Sequence, residues 1–168
     1  MEARPSPRPG ASAKQGAVEG QGIALVLRDG TYAAGVVRVS VDPSSGKVVV
    51  KSVAVAQDAG LIINPTSVER QVESAVLQTT SRALLEEVTF DSANVTSLDW
   101  SAYPLLTMAD APTITTVLIN HPEIPATGVG EPAVNLIAPG ISNAVFDATG
   151  VRLRNLPFRP DRVKAAMA

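Results

Sequence analysis

The sequence predicts an α+β fold: an antiparallel, hairpin-based sheet packed against one long helix and a shorter C-terminal helix. Three observations carry that expectation. Val37, Val39 and Val41 alternate with Arg38 and Ser40, and after the turn Asp42-Pro-Ser-Ser-Gly46 a second β-branched run returns from Lys47 to Gln57, the pattern of a half-buried hairpin. Val68, Val72, Ala75, Val76, Thr79 and Ala83 recur at helical spacing, one apolar stripe on a helix. Ile141, Ala144, Val145 and Ala148 form a second, shorter stripe that stops at Gly150, a residue suited to a helix C-terminus.

The elements follow in order. Residues 1–21 are rich in breakers, with Pro5, Pro7, Pro9, Gly10, Gly16 and Gly20 among small, basic and polar residues, and are expected to form a disordered tail. The folded part then spans 22–168. Gly22 to Arg28 is a short apolar run ending at the turn signal Asp29-Gly30. The hairpin strands follow, the second ending at Asp58-Ala-Gly60. Asn64-Pro65 leads into the long helix, where Thr66-x-x-Glu69 has the form of a capping box and the stripe runs to about Glu87. Val88 to Phe90 is a short strand candidate, Asp91 to Ser101 a polar connection, and Thr113 to Ile119 a β-branched strand. Asn120 to Pro125 is a loop in which His121 has no evident partner and is expected to be solvated. Pro139-Gly140 should divide the last apolar segment, leaving a loop before it and a helix from about Pro139 to Ala148. Val151 to Pro157 is a strand-like exit, and Pro160 begins a final helical turn.

Composition excludes several function classes. The net charge of −2 offers no electrostatic case for nucleic acid or an anionic membrane surface. The absence of cysteine excludes disulfides, thiol nucleophiles and cysteine-ligated iron–sulfur clusters within this chain. One histidine excludes a histidine-rich metal site. No apolar run reaches the length of a membrane span, and the first residues lack the continuous apolar core of a secretory signal. Of the 168 residues, 45 % are hydrophobic and only 4 % aromatic, so the core is built on alanine and valine and on close backbone approach.

The stretch that stands apart is Thr127-Gly128-Val129-Gly130-Glu131-Pro132. A lone carboxylate sits between a two-glycine loop and an apolar segment. Gly128 and Gly130 can adopt backbone angles closed to other residues and leave room for a ligand against the main chain. Pro132 suits the first position of a helix, which places Glu131 at or just before the N-cap. There the local pattern by itself reads as a carboxylate that complements a helix dipole. Gln71 and Gln78, about two helical turns apart, are either boundary amides bonded to neighbours or donors to a bound cofactor.

Four segments in order carry a resemblance: Val55-Ala-Gln-Asp58-Ala-Gly-Leu-Ile-Ile-Asn64-Pro65, Gln71-Val-Glu-x-Ala-Val-x-Gln78, Gly128-Val-Gly-Glu131-Pro132, and Phe146-Asp147-Ala148-Thr149-Gly150-Val151-Arg152-Leu153. Together they resemble the C-terminal part of the molybdopterin-binding large subunit of the xanthine dehydrogenase/aldehyde oxidase family, most of all its bacterial aldehyde- and isoquinoline-type members. The match runs from about Gly22 to Ala166. Such enzymes hydroxylate an electron-poor carbon of an aldehyde or N-heterocycle with oxygen from water, on a molybdenum–molybdopterin cofactor. The resemblance implies that Glu131 is the general base, that Gln71 hydrogen-bonds near the pterin, and that Gly128 and Gly130 let backbone approach the metal centre. It also implies partners: the remainder of the molybdopterin-binding subunit, an iron–sulfur subunit, and a small aldehyde or N-heterocyclic substrate. Ser74 and Thr79 stand where members usually carry glycine. The family's large subunit is several times longer than this chain, so the resemblance implies an incomplete enzyme, inactive alone. A non-catalytic scaffold domain derived from the same family is the competing expectation.

Overall fold

In the computed structural model, which describes residues 16–168, four strands form one mixed sheet in the order β1-β2-β3-β4. Strands β1 (Val18–Arg28), β2 (Thr31–Val41) and β3 (Val48–Asp58) are an antiparallel meander, and β4 (Thr113–Ile119) adds beside β3 in parallel. Helix α1 (Pro65–Leu84) makes the crossover from β3 to β4, α2 (Val134–Thr149) follows β4, and α3 (Pro160–Met167) closes the chain. The α+β expectation holds, with one difference. The sheet is not wholly antiparallel, because a strand reached through a 20-residue helix returns in the direction it left. No helix among the described residues is long and apolar enough to cross a membrane.

Local chemistry accounts for the strand connections. Asp29 (φ 51°) and Gly30 (φ 85°) are both left-handed and join paired residues Arg28 and Thr31, the two-residue turn that matches strand twist. In the second turn the Asp42 carboxylate accepts from the Ser44 amide at 2.9 Å and from the Ser44 and Ser45 hydroxyls at 2.7 Å each. These donors, the Ser44 hydroxyl foremost, hold the Asp42 pKa at about 2. The chain enters the sheet at Val18, so Val18 to Gln21 belong to β1 rather than to the expected tail. The rest of that tail, up to residue 15, lies outside the described residues.

Both longer helices lie on one face of the sheet. The stripe read from the sequence is the buried face of α1: Val68, Val72, Ala75, Val76, Thr79 and Ala83. The helix starts one residue pair earlier than the capping box implied. Asn64 is the N-cap, its Oδ1 accepting from the Ser67 amide at 3.0 Å, with Pro65 in the first turn. Proline's fixed φ and missing N–H suit that position, which leaves Thr66 inside the helix. The 88–90 strand candidate survives only as an isolated bridge between Phe90 and Val95.

Helix α2 corrects the sequence reading more strongly. It runs unbroken from Val134 to Thr149 with Pro139 inside it and Gly150 (φ 77°) as its left-handed cap. Pro139 removes the bond to the Asn135 carbonyl, a loss of about 3 kcal/mol in a helix interior. Leu136, Ile137, Ile141, Ala144 and Val145, all fully buried, more than offset it at about 1.5–3 kcal/mol for each large side chain. The helix seats this deeply because β1 offers it glycines. A Cβ at Gly22 would stand 2.1 Å from the Gly140 carbonyl oxygen, and one at Gly20 2.1 Å from that of Ala144.

Candidate active site

The candidate residues gather at one edge of the sheet, where β1, β3 and β4 end and β2 begins. The loop between β4 and α2 crosses that edge and is fastened to it from below. The Thr127 amide donates to the Ala59 carbonyl at 2.9 Å. The buried Thr31 hydroxyl lies 2.7 Å from the Gly128 carbonyl and 2.6 Å from the Thr127 hydroxyl. A carbonyl only accepts and a hydroxyl has one proton, so Thr31 donates to Gly128 and accepts from Thr127. Gln57, 1 % exposed, reaches the Val129 carbonyl with its Nε2 at 3.5 Å, while its Oε1 has no partner.

Above these anchors is a shallow cleft of about 140 Å³ lined by Arg28, Asp29, Gly128, Gly130, Glu131 and Pro132. A Cβ built on Gly128 or Gly130 would meet nothing within 4 Å, and neither residue has a positive φ. Glycine here therefore provides room and not an unusual backbone angle, which corrects half of the sequence argument for these positions.

Glu131 is not the helix cap. It precedes the N-cap residue Ala133, and the start of α2 has no side-chain cap; instead its first amides bond backward, Val134 to the Glu131 carbonyl at 3.0 Å and Leu136 to that of Ala133 at 3.2 Å. The Glu131 side chain is 65 % exposed and ion-paired with Arg28, whose Nε is 3.5 Å from Asp29 Oδ2. Pairs this exposed contribute at most about 1 kcal/mol, so Arg28 orients the carboxylate more than it stabilises the fold.

The structure brings Gly128, Gly130 and Glu131 into one cleft and leaves Gln71 out of it. Gln71 is exposed on α1 and is not among the residues that line the cleft. Gln78 behaves as a boundary amide, donating to Ser74 Oγ at 2.8 Å and accepting from Arg82 at 3.1 Å. Thr79 points into the core. His121 is less solitary than its sequence neighbours suggested: its Nδ1 is 3.0 Å from Asp58 Oδ2, at ion-pair distance but not aligned as a hydrogen bond. The sequence reading missed Thr31, Gln57 and Arg28. Gln57 had a signal, being a polar residue at the core-facing beat of Val53, Val55 and Gln57.

Whether these residues fit a large polar ligand is decided by three observations. The main chain at Gly128 and Gly130 is open to close approach, a buried amide oxygen behind the loop is unpaired, and a carboxylate and a guanidinium stand at the rim. They fit one wall of a cofactor site: backbone, a carboxylate and a cation on one side of a shallow cleft.

The fold and this edge define a cofactor-facing α+β domain. The family model of the molybdopterin cofactor-binding domain matches residues 16–112, and the chain belongs to that family, within the molybdenum hydroxylases. The matched residues end before β4, so they include Arg28 and Asp29 of the cleft but not the Gly128–Glu131 loop. The chain is 42 % identical over 136 residues to a nicotinate dehydrogenase subunit of Pseudomonas putida, covering 81 % of this chain and 12 % of that one. It is 32 % identical over 149 residues to the beta subunit of isoquinoline 1-oxidoreductase from Brevundimonas diminuta, covering 89 % and 19 %. Among solved structures, quinoline 2-oxidoreductase from Pseudomonas putida 86 superposes with a TM-score of 0.75 at 26 % identity, over 82 % of this chain and 18 % of that one. The chain thus spans less than a fifth of the length of each of these proteins.

Proposed function

We propose that this chain supplies the general base, Glu131, to a molybdenum hydroxylase site that other polypeptide completes. The substrate class is an aldehyde or N-heterocycle, with water as the source of oxygen. The observation that carries the reading is that the Glu131 carboxylate pairs, among the described residues, with Arg28 alone: it is exposed, caps no helix, and stands beside two glycines with empty space over them.

When bound, the molybdenum cofactor supplies Lewis-acid activation of oxygen and a sink for two electrons. The chain's own residues act around it. Glu131 accepts a proton at its carboxylate, and Arg28 holds that carboxylate at the rim. Gly128 and Gly130 let the main chain lie against the cofactor, and Thr31 and Gln57 hold the loop in place from below. Gln71 offers its amide toward the pterin from α1, and the partner polypeptides are the remainder of the molybdopterin-binding subunit and an iron–sulfur subunit that carries electrons away. Alone, the chain has one wall of the site and no turnover.

The test is to purify the chain from its host with whatever polypeptide accompanies it, assay molybdenum and pterin, and compare Glu131→Gln. Cofactor content should be unchanged while kcat falls by about 10²–10⁴-fold, the usual contribution of a general base. Unchanged turnover in the variant would assign the domain to a scaffold instead. Measurable oxidation of an aldehyde by the isolated chain with an artificial acceptor would refute its incompleteness.

A further inference from the structure

We propose that the face of the sheet turned away from the helices is the surface on which the remainder of the molybdopterin-binding subunit docks. The side chains that point away from α1 and α2 are mostly apolar over the half of the sheet nearest Glu131, with Asp58 and Thr115 the polar exceptions. In register across the strands, Ile23, Leu25 and Leu27 on β1 lie opposite Val117 and Ile119 on β4, with Tyr32 on β2 beside Leu27. Leu25 is 74 % exposed, and none of the six is below 41 %. Between these edges the middle strands place Ala34, Val36, Ala54 and Ala56, so two apolar ridges flank a trough floored by smaller apolar residues. At the far end the same face turns polar, with the Gln21–Arg38 pair, Lys51 and Ser52. This is a contiguous apolar patch with a polar rim, on the order of several hundred Å², at or above the 300–600 Å² that monomeric proteins usually leave exposed.

Two facts select the occupant. The chain covers 12 % of the nicotinate dehydrogenase subunit and 19 % of the isoquinoline 1-oxidoreductase beta chain, so most of the polypeptide of such a protein lies outside it and must meet it somewhere. The helical face is already filled by the chain's own core, which leaves the outer face open as a broad apolar surface within the sheet; Phe90, Leu98, Trp100 and Met108 are also exposed, but they stand in the connection between α1 and β4. The patch is also continuous with the candidate site. The row Leu27–Tyr32–Asp58–Ile119 closes it at the edge where Arg28, the Asp29-Gly30 turn and the Glu131 loop stand. A polypeptide seated on the patch therefore reaches the open side of the glycine cleft. The inference rests on the reading that other polypeptide completes the site, and adds where that polypeptide sits.

The probe is the Pseudomonas putida nicotinate dehydrogenase subunit with the segment that matches this chain deleted, co-expressed with the full chain. Four forms are compared: unsubstituted, Leu25→Glu, Val117→Lys, and Lys164→Glu on α3 as a control. Leu25 and Val117 are solvent-exposed in the chain by itself, so the variants should fold, and circular dichroism with urea unfolding verifies it. The unsubstituted chain and the control are expected to capture the probe, and both outer-face variants to lose at least tenfold in capture. In the captured complex, radical labelling of Tyr32 should fall several-fold relative to the chain alone. Equal capture by all four forms, with Tyr32 labelled as before, would overturn the docking face while leaving Glu131 and its completed site intact. No capture by the unsubstituted chain would overturn both readings. A homodimer of the chain alone that Leu25→Glu dissociates would give the face to a second copy and overturn the proposal.

Discussion

The contact between β1 and α2 makes a sharp prediction, because it is made by backbone and not by side chains. In Gly22→Ala, the new Cβ would sit 2.1 Å from the Gly140 carbonyl oxygen and 2.5 Å from the Ala144 amide nitrogen. Neither atom can rotate away, so the helix must withdraw by about 1 Å to restore an ordinary contact. Helix α2 has 16 residues, about 24 Å of length and about 10 Å of width. A gap of about 1 Å that tapers to nothing across that whole footprint is on the order of 120 Å³, and at ~24 cal/mol per Å³ this costs about 3 kcal/mol. That is the upper end of the usual overpacking range of about 1–3 kcal/mol and a large share of a typical stability of about 5–15 kcal/mol.

Urea unfolding followed by circular dichroism measures it. With a slope of about 2 kcal/mol per molar, the midpoint should fall by about 1.5 M with the slope unchanged. The comparison that isolates the cause is Gly128→Ala, the same chemical change where an added Cβ meets nothing within 4 Å; its stability should change by less than about 1 kcal/mol, and upward if at all. If Gly22→Ala and Gly128→Ala unfold at the same midpoint, the seating of α2 on the β1 backbone is wrong.

Three further perturbations test other parts of the structure. Thr31→Val removes the donor to the Gly128 carbonyl and the acceptor of the Thr127 hydroxyl; it should cost about 1–3 kcal/mol and speed amide exchange at Val129 and Gly130 while the centre of β2 stays protected. Asn64→Ala removes the N-cap of α1, an expected loss of about 1 kcal/mol by urea unfolding, whereas Thr66→Ala, the capping residue suggested by the sequence pattern, should cost less. The Asp42 pKa is depressed from 3.8 to about 2 by the Ser44 and Ser45 donors, so its turn stabilises the fold fully above pH 3.8 and loses that contribution as the pH falls toward 2; the slope of stability against pH in this window should shrink in Asp42→Asn.

What was legible in the sequence follows from which interactions are local. The hairpin and the buried stripe of α1 are written in periodicity, and both are found where the pattern puts them. The direction of β4 is not, since parallel pairing depends on where a 20-residue helix delivers the chain. Pro139 misled for a related reason. Its cost is local and visible, whereas the burial of Leu136, Ile137 and Ile141 that offsets it depends on β1 and β2. At the site, the motif around Glu131 was visible and its supports were not: Thr31 is 96 residues from Thr127, and Gln57 is 72 from Val129. Only the polar residue on the core-facing beat of β3 announced that something other than packing was needed there.

The two glycine pairs show how structure divides what sequence leaves equal. Gly20-x-Gly22 and Gly128-x-Gly130 have the same spacing, and each invites the inference that something approaches the backbone closely. At the first pair that something is α2, near enough that a methyl group would overlap its carbonyls. At the second pair nothing among the described residues comes near, although the loop is tied down on its other side by Thr31, Thr127 and Gln57. A loop held from one side and left bare on the other, with no positive φ to require glycine, has a reason for glycine only in what approaches from outside. On the proposed reading Glu131, at the end of that bare surface and capping no helix, faces the same approaching group.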